Sequence, residues 1–257
     1  MESVETWDEN ARVADNDDDA AIDEAARDEA ASSITIAANE SRHTHIAEHF
    51  GQLLWVFTIM SVIGLFGETL QHYIAFGEWE SRMGFIWGPF SPIYGLAAVL
   101  FTITLEPLQD RAVPVPLIVA AVVGGSLEYF ASWAMETYWG VVAWSYQDQP
   151  LNINGRTDVF HSLVWGTLGT LWVKIGLPIC QLAFDRVHTD GRAYRITTAA
   201  LAVFMAANIV VTCTVLLRAD ARAHDVPPQN PIEQIYDQVY PTDYLQTRFH
   251  NMGGLGL

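Results

Sequence analysis

Uncharged apolar runs long enough to cross a bilayer constrain this chain more than any other feature. Residues 51–67 carry no charged side chain, and the apolar pattern continues past Glu68 to about residue 74. A helix rises about 1.5 Å per residue, so roughly 20 residues cover the hydrocarbon core of about 30 Å. The run therefore predicts a transmembrane helix.

Further apolar runs follow at residues 87–105, 113–135, 159–177 and 196–217. We therefore predict an all-α fold: a polytopic protein of the cell membrane, embedded in the lipid bilayer through about five transmembrane helices. Pro89 and Pro92 interrupt the start of the second segment, because proline cannot donate a backbone hydrogen bond. The alternatives are therefore six membrane segments, or a second segment that is re-entrant and lined by protein.

The charge of the chain is concentrated at its N-terminus. Residues 1–48 hold 14 of the 30 acidic side chains but only 3 of the 13 basic ones, and they contain few large apolar residues. Such a segment cannot bury enough apolar surface to offset its ordering entropy. We predict three regions: an acidic disordered tail (1–48), a transmembrane helical domain (49–217) and a polar C-terminal tail (218–257).

Five spans place successive loops on opposite faces of the membrane. Side A then holds residues 1–48, the loop near Arg111 and the loop at 186–195. Side B holds the loops at 75–86 and 136–158, together with the C-terminal tail.

Two carboxylates, Glu68 and Glu128, interrupt apolar runs. A charge at the centre of a bilayer costs at least about 2.5 kcal/mol, so such residues usually have a partner or a water-filled cavity. At about 1.5 Å per residue, Glu68 lies roughly 25 Å along the first helix and Glu128 roughly 22 Å along the third. Both therefore lie near side B. We predict that Arg156 pairs with one or both, because its planar guanidinium stays charged and binds carboxylates bidentately.

Other polar residues fall at the same face. The run Asn152–Arg156 (Asn-Ile-Asn-Gly-Arg) is typical of tight turns and indicates a held backbone shape or a ligand. We predict a polar vestibule open to side B and formed by Glu68, Tyr94, Glu128, Asn152, Asn154, Arg156 and His161. The alternative is a set of structural ion pairs that tie helix ends together.

Several functional classes lack their sequence patterns. The chain contains no GxxxxGK[ST], GxGxxG, HExxH or paired CxxC, so we expect no bound cofactor and no metal site. It has one lysine and scattered arginines, so we expect no nucleic-acid partner. That lysine, Lys174, lies toward side A just before Pro178, where we expect the fourth helix to end. Its long side chain can reach the headgroups there.

Several short motifs occur in an order that resembles a family of bacterial membrane proteins, the ABC-transporter type IV permeases. The motifs are Gly64–Glu68, Trp87–Gly95, Leu127–Tyr129, Trp144–Tyr146, Pro150–Arg156 and Ser162–Gly169, with Tyr240–Asp243 and Arg248–Met252 in the tail. Ser145 departs from the pattern, in which Asp is expected, and the acidic N-terminus is additional. The resemblance implies a transport component whose ATP is hydrolysed by a separate ATP-binding subunit.

Three functions are compatible with these residues. The first is a transport component whose vestibule binds a small polar or cationic solute, and it is our prediction. The second is a non-catalytic structural partner in which the buried charges fix helix register. The third is a membrane-embedded enzyme acting on lipid or envelope substrates, with Glu68 or Glu128 as general base and His161 or Arg156 steadying an anion. We expect no enzyme activity, because no nucleophile motif is present.

Overall fold

Long apolar helices dominate the part of the chain that the structure describes, which in this computed structural model is residue 46 and residues 49–250. The predicted acidic tail, apart from Ile46, lies outside the described residues. The helices are α1 (Phe50–Phe76), α2 (Pro92–Leu105), α3 (Pro114–Trp139), α4 (Val159–Leu171), α5 (Leu177–Arg186), α6 (Arg192–Ala223), α7 (Pro231–Val239) and α8 (Thr242–Arg248). A two-residue antiparallel hairpin, β1 (Asn152–Ile153) and β2 (Thr157–Asp158), precedes α4.

Among the described residues, four helical stretches are long and apolar enough to span a membrane. They are α1, α3, the continuous stretch Val159–Arg186 and α6. The predicted second span, residues 87–105, corresponds to a shorter apolar helix, Pro92–Leu108, made of α2 and the 3₁₀ turn that follows it. The all-α membrane fold is therefore confirmed, while the number of spans stays a prediction.

Local sequence explains where these helices begin and end. Pro92 and Pro114 occupy the first turns of α2 and α3, where their missing N–H groups cost nothing. Gly77 and Gly140 end α1 and α3 with φ of 77° and 64°, a left-handed conformation that glycine adopts without a steric penalty.

The stretch Val159–Arg186 does not end at Pro178 as predicted. A π-helical turn, Trp172–Gly176, joins α4 to α5 and carries the chain past the proline. Pro178 lacks an N–H, and its ring crowds the preceding turn, so the wider turn accommodates it. The indole N–H of Trp172 donates to Thr102 Oγ1 at 3.0 Å and fastens this turn to α2.

Contacts between small residues show which way neighbouring helices run. Gly64 of α1 lies against Tyr94, near the start of α2. At the other end of this pair, the Ile46 N–H donates to Glu106 Oε1 at 3.1 Å. Helix α2 is thus antiparallel to α1.

The same pattern holds along the rest of the bundle. Gly125 of α3 contacts Ser162 of α4, whereas Gly166 lies against Leu117, so these helices are also antiparallel. Helix α6 runs parallel to α1, because the Trp55 indole N–H donates to Thr198 Oγ1 at 3.0 Å. The five helical stretches therefore alternate in direction as the predicted topology requires.

An irregular segment, residues 81–91, precedes α2 and is packed inside the bundle. Phe85, Ile86 and Phe90 within it are buried. The predicted second helix starts at residue 87, but α2 begins only at Pro92, because a residue before proline disfavours helical backbone. The irregular start that Pro89 and Pro92 suggested is therefore present, and we call residues 81–91 the inserted segment.

The C-terminal region packs on side B. Leu245 and Phe249 are fully buried with Ile86, Val141 and Val215. Residues 251–257 lie outside the described part. The division of the chain at residues 48 and 217 stays a prediction, although α6 continues to Ala223 and the following helices pack on the bundle.

Candidate functional site

Glu128 is the more buried of the two predicted intramembrane carboxylates, Glu68 and Glu128. It lies near the C-terminal end of α3, and only 5% of its surface is exposed. The Tyr146 hydroxyl donates to its Oε1 at 2.9 Å, and the Thr157 hydroxyl donates to its Oε2 at 2.8 Å. Both donors come from the connection between α3 and α4, so this loop folds over the carboxylate.

The loop owes its shape to its own amide side chains. Asn152 Nδ2 donates to the carbonyls of Gln147 and Gln149, and its Oδ1 accepts from the Gly155 N–H at 2.9 Å. Asn154 has a positive φ of 53° and donates from Nδ2 to the Tyr129 hydroxyl at 3.0 Å. Asn152 thus shapes the loop that presents Thr157, while Asn154 fastens it to α3.

Asp158 begins α4 and orients His161. Its Oδ1 accepts the His161 N–H at 2.8 Å as an N-cap, and its Oδ2 lies 2.6 Å from His161 Nδ1. Burial raises the pKa of Asp158, but the hydrogen bonds from His161 outweigh it and hold the pKa below its ordinary value. The His161 ring stacks on Tyr146 at 4.0 Å, and burial together with nearby Glu128 raises the pKa of Tyr146.

Arg156 does not pair with Glu68 or Glu128, so that prediction is wrong. Its guanidinium binds Glu136 at 2.5 Å and Ser132 at 3.3 Å, one turn or more closer to the end of α3. The choice of partner depends on which way each side chain faces. Glu136 lies two turns nearer the end of α3 than Glu128 and pairs with Arg156.

Glu68 is paired instead with Arg82, which the sequence did not single out. Arg82 Nη1 lies 3.7 Å from Glu68 Oε1, and its Nη2 lies 2.8 Å from Glu80 Oε2. His72 and His250 also bind Glu80, at 3.1 and 2.7 Å. Burial raises the pKa of Glu80, but the His250 hydrogen bond and Arg82 bring it below its ordinary value.

Tyr94 lies near both carboxylates. It is in the first turn of α2, hydrogen-bonds to Glu68 and lies within electrostatic range of Glu128. Gly64 makes this position available, since a Cβ there would lie 2.2 Å from Tyr94 Cγ. We define the side B cluster as the five side chains of Glu68, Tyr94, Glu128, Tyr146 and Thr157.

The structure thus brings together Glu68, Tyr94 and Glu128, with His161 against Tyr146. Asn152 and Asn154 belong to the covering loop, and Arg156 lies at its edge. Tyr146 and Thr157 were not predicted as hydrogen-bond donors to Glu128, although Tyr146 lies in the Trp144–Tyr146 motif. Its position beside Glu128 depends on loop closure, which has no signal in a single sequence.

A second polar group lies at the side A end. Glu106 is 9% exposed, and Gln181 Nε2 donates to its Oε1 at 3.1 Å. Lys174 Nζ donates to the carbonyls of Gln109 and Arg111, both at 2.6 Å, so it caps the end of the α2 stretch. Among the described residues, no group of three or more His, Cys, Asp or Glu side chains is arranged to hold a metal ion.

Alternating apolar helices with polar side chains at their ends define a multi-pass membrane protein. The model of the family described as "Putative ABC-transporter type IV" matches residues 55–213, well over half of the chain, and the chain belongs to this family. The matched region runs from α1 into α6 and includes the whole side B cluster. No curated protein and no solved structure matches the chain.

Proposed function

We propose that the chain is the membrane-embedded subunit of a transport system of the cell membrane, and that its side B cluster binds a small solute carrying positive charge. Membership in the transporter family and the long apolar helices support the first part. The charge balance around Glu128 carries the second.

Glu128 is buried, and its basic neighbour is the His161 ring that stacks on Tyr146. Its hydrogen-bond donors, the Tyr146 and Thr157 hydroxyls and the Trp165 indole, are neutral. Among the described residues no lysine or arginine contacts it, because Arg156 is bound to Glu136. A buried carboxylate with no arginine or lysine against it is costly, so a cationic solute would be favoured there.

Glu68 adds negative charge to the same place. Its partner Arg82 is shared with Glu80, and the contact with Glu80 is the shorter one, at 2.8 Å against 3.7 Å. One arginine therefore serves two carboxylates. The rings of Tyr94 and Tyr146 add faces that attract cations, which favours an organic ammonium group over a strongly hydrated metal ion.

The energy source would lie in another chain. The sequence has no phosphate-binding loop, so ATP hydrolysis requires a separate ATP-binding subunit docked on the membrane domain. Co-purification from native membranes, followed by identification of the bound chains, tests this part. Failure to recover any nucleotide-binding chain, together with unchanged solute uptake after deletion of the protein, would argue against a transport role.

The solute class can be tested on the purified full-length protein. A ligand that binds only the folded state raises the free energy of unfolding by about RT ln(1 + [L]/Kd). We expect choline chloride to raise the thermal midpoint above that in sodium chloride of equal ionic strength. Glu128→Gln should abolish this rise, whereas Glu136→Gln should retain it because Glu136 is half exposed and does not touch the cluster.

Two outcomes would contradict the proposal. One is an equal response of both variants to choline. The other is stabilisation by an anion such as glutamate and by no cation. A lower thermal midpoint of Glu128→Gln without ligand would not distinguish loss of binding from loss of stability. The quantity to compare is therefore the rise in midpoint that choline causes in each variant.

A structural partner is the second candidate, because both carboxylate oxygens of Glu128 are satisfied within the chain. In this role Glu128 would only fasten the covering loop to α3. Normal folding and an unchanged growth phenotype in the Glu68→Gln, Glu128→Gln double variant would favour it.

A further inference from the structure

Helix α7 has an apolar stripe that the rest of the described chain leaves uncovered. Ile232, Ile235 and Val239 follow one another at spacings of three and four residues, which places them on one face of the helix. More than half of each side chain is exposed, at 60%, 54% and 54%. The face is therefore open within the described part of the chain.

The opposite face of α7 is fixed to α6. Asp237 binds the guanidinium of Arg218 through two hydrogen bonds, at 2.9 and 2.8 Å, and also accepts from Arg222 at 3.0 Å. On the flank of the stripe, the Tyr236 hydroxyl lies 3.1 Å from Thr214 Oγ1 and also holds α7 to α6. Helix α7 is thus held in one orientation, with its apolar stripe facing away from α6.

These contacts also set the depth of α7. The apolar run of α6 ends at Leu217, and Thr214 lies about 6 Å before Arg218 along the helix axis. The neighbouring aromatic contacts are those of a membrane boundary: Trp87 Nε1 donates to the Tyr240 hydroxyl at 3.2 Å, and Trp139 Nε1 donates to the Cys213 carbonyl at 3.1 Å. Helix α7 therefore lies where the apolar part of α6 gives way to charge.

The ends and charges of α7 are satisfied within the chain. Asn230 accepts the Glu233 N–H at 3.0 Å as an N-cap, and Glu233 accepts the Gln229 N–H at 2.6 Å. Asp237 is neutralised by its two arginines, and the Arg218 hydrogen bond holds its pKa below the ordinary value. The helix needs no protein partner to be complete at its N-terminus.

We propose that α7 is an interfacial helix, which lies along the side B surface of the bilayer and inserts Ile232, Ile235 and Val239 among the upper acyl chains. An amphipathic helix at this depth buries its apolar face at the headgroup boundary. It has no lysine or arginine, so it is suited to neutral lipid and not specifically to anionic lipid. This inference is independent of the transported solute.

Cysteine labelling of the full-length protein tests the proposal. In a background of Cys180→Ala and Cys213→Ala, a fluorescent label is attached at Ile235→Cys, and at Gln234→Cys as the matched control on the exposed polar face. The protein is reconstituted alone into phosphatidylcholine vesicles, some of which contain doxyl-labelled lipid. We expect the doxyl lipid to quench the label at position 235, and aqueous iodide to quench the label at position 234.

The proposal fails if iodide quenches both labels alike and doxyl lipid quenches neither. That result in vesicles of the protein alone would assign the stripe to a protein partner. If Ile235→Cys does not fold, Ile232→Cys serves for the same comparison, since it lies on the same stripe. Replacing part of the phosphatidylcholine by phosphatidylglycerol should leave the quenching unchanged, and a strong increase would contradict the preference for neutral lipid.

Discussion

A single carboxylate, Asp158, joins the local start of a helix to the geometry of the side B cluster. It caps α4 and holds His161, whose ring stacks on the Tyr146 that donates to Glu128. Only 1% of the Asp158 surface is exposed. Asp158, which caps α4, therefore also positions Tyr146, a hydrogen-bond donor to the buried Glu128 of α3.

Asp158→Asn should lower the thermal midpoint at neutral pH by an amount that disappears in acid. Asparagine still caps a helix, so the loss reports the charged hydrogen bonds to His161. The pKa of Asp158 is below its ordinary value of 3.8 in the folded protein, so its stabilisation is complete above 3.8 and is lost as pH falls through the folded value. Thermal unfolding in detergent between pH 7 and pH 3 measures the difference.

The exposed Asp148 in the same loop provides the control. Asp148→Asn should leave the midpoint unchanged across this range. A difference between wild type and Asp158→Asn that persists undiminished at the lowest pH would contradict the role given to the charge.

At the level of residues, the sequence located the carboxylates but not their partners. Glu68 and Glu128 are conspicuous because each interrupts an apolar run, and their depth follows from counting residues. Which arginine each one meets depends on helix rotation and on loops, so Arg82 was overlooked and Arg156 was paired wrongly. A single sequence does not indicate which neutral side chain, such as Thr157, donates to a buried carboxylate.

At the level of elements, α3 and α4 pack closely because glycines remove side chains from their interface. A Cβ at Gly166 would lie 2.7 Å from the Leu117 carbonyl oxygen, and that backbone atom cannot move aside. Membrane helices gain stability mainly from such close packing, since lipid is as apolar as the side chains it replaces.

Gly166→Ala should destabilise the bundle by about 1–3 kcal/mol, the usual cost of overpacking a tight contact. Gly67→Ala is the matched control, because nothing lies within 4 Å of a Cβ at that position of α1. Unfolding of both variants in the same detergent gives the comparison. Equal midpoints for the two would show that the α3–α4 contact is looser than the structure has it.

The inserted segment depends on side chains from distant elements for its backbone hydrogen bonds. Thr212 and Asn208 of α6 accept the Ile86 and Trp87 N–H groups at 3.0 and 3.1 Å. Arg248 of α8 donates to the Phe85 carbonyl at 3.0 and 2.8 Å. Irregular backbone at membrane depth is tolerated only when protein groups satisfy it in this way.

Arg248→Ala should loosen the inserted segment, because each buried carbonyl left without a donor costs about 1–3 kcal/mol. A cysteine placed at Ser81 should react faster with a maleimide in this variant than in the parent protein. Arg195→Ala, an exposed arginine on side A, should leave the rate unchanged. An unaltered rate in Arg248→Ala would mean that α6 alone holds the segment.

At the level of the whole molecule, hydropathy predicted the order and direction of the helices correctly. The contacts of α1 with α2, and of α3 with α4, reproduce the predicted alternation. The inserted segment and the two C-terminal helices were not predicted as packed elements. Their packing depends on single side chains that bind backbone far away in sequence, and periodicity does not report such contacts.

Five alternating spans imply that the loops at Asp148 and Asp190 open to opposite sides, and that Gln229 shares the side of Asp148. Cysteines at these positions, in a chain lacking Cys180 and Cys213, can be labelled with an impermeant maleimide in sealed oriented vesicles. We expect the Asp148→Cys and Gln229→Cys variants to react from the same side and Asp190→Cys from the other. Labelling of all three from one side would require a different number of crossings.

The dependence of the inserted segment on α6 and α8 also has a consequence for synthesis. Residues 81–91 leave the ribosome well before Asn208 and Arg248, which supply their hydrogen bonds more than 100 residues later in the sequence. Until the last helices are made, the turn between α1 and α2 lacks these hydrogen-bond partners. We expect it to stay in water or in contact with the insertion machinery until then, so that the C-terminal residues complete a hairpin begun near the N-terminus.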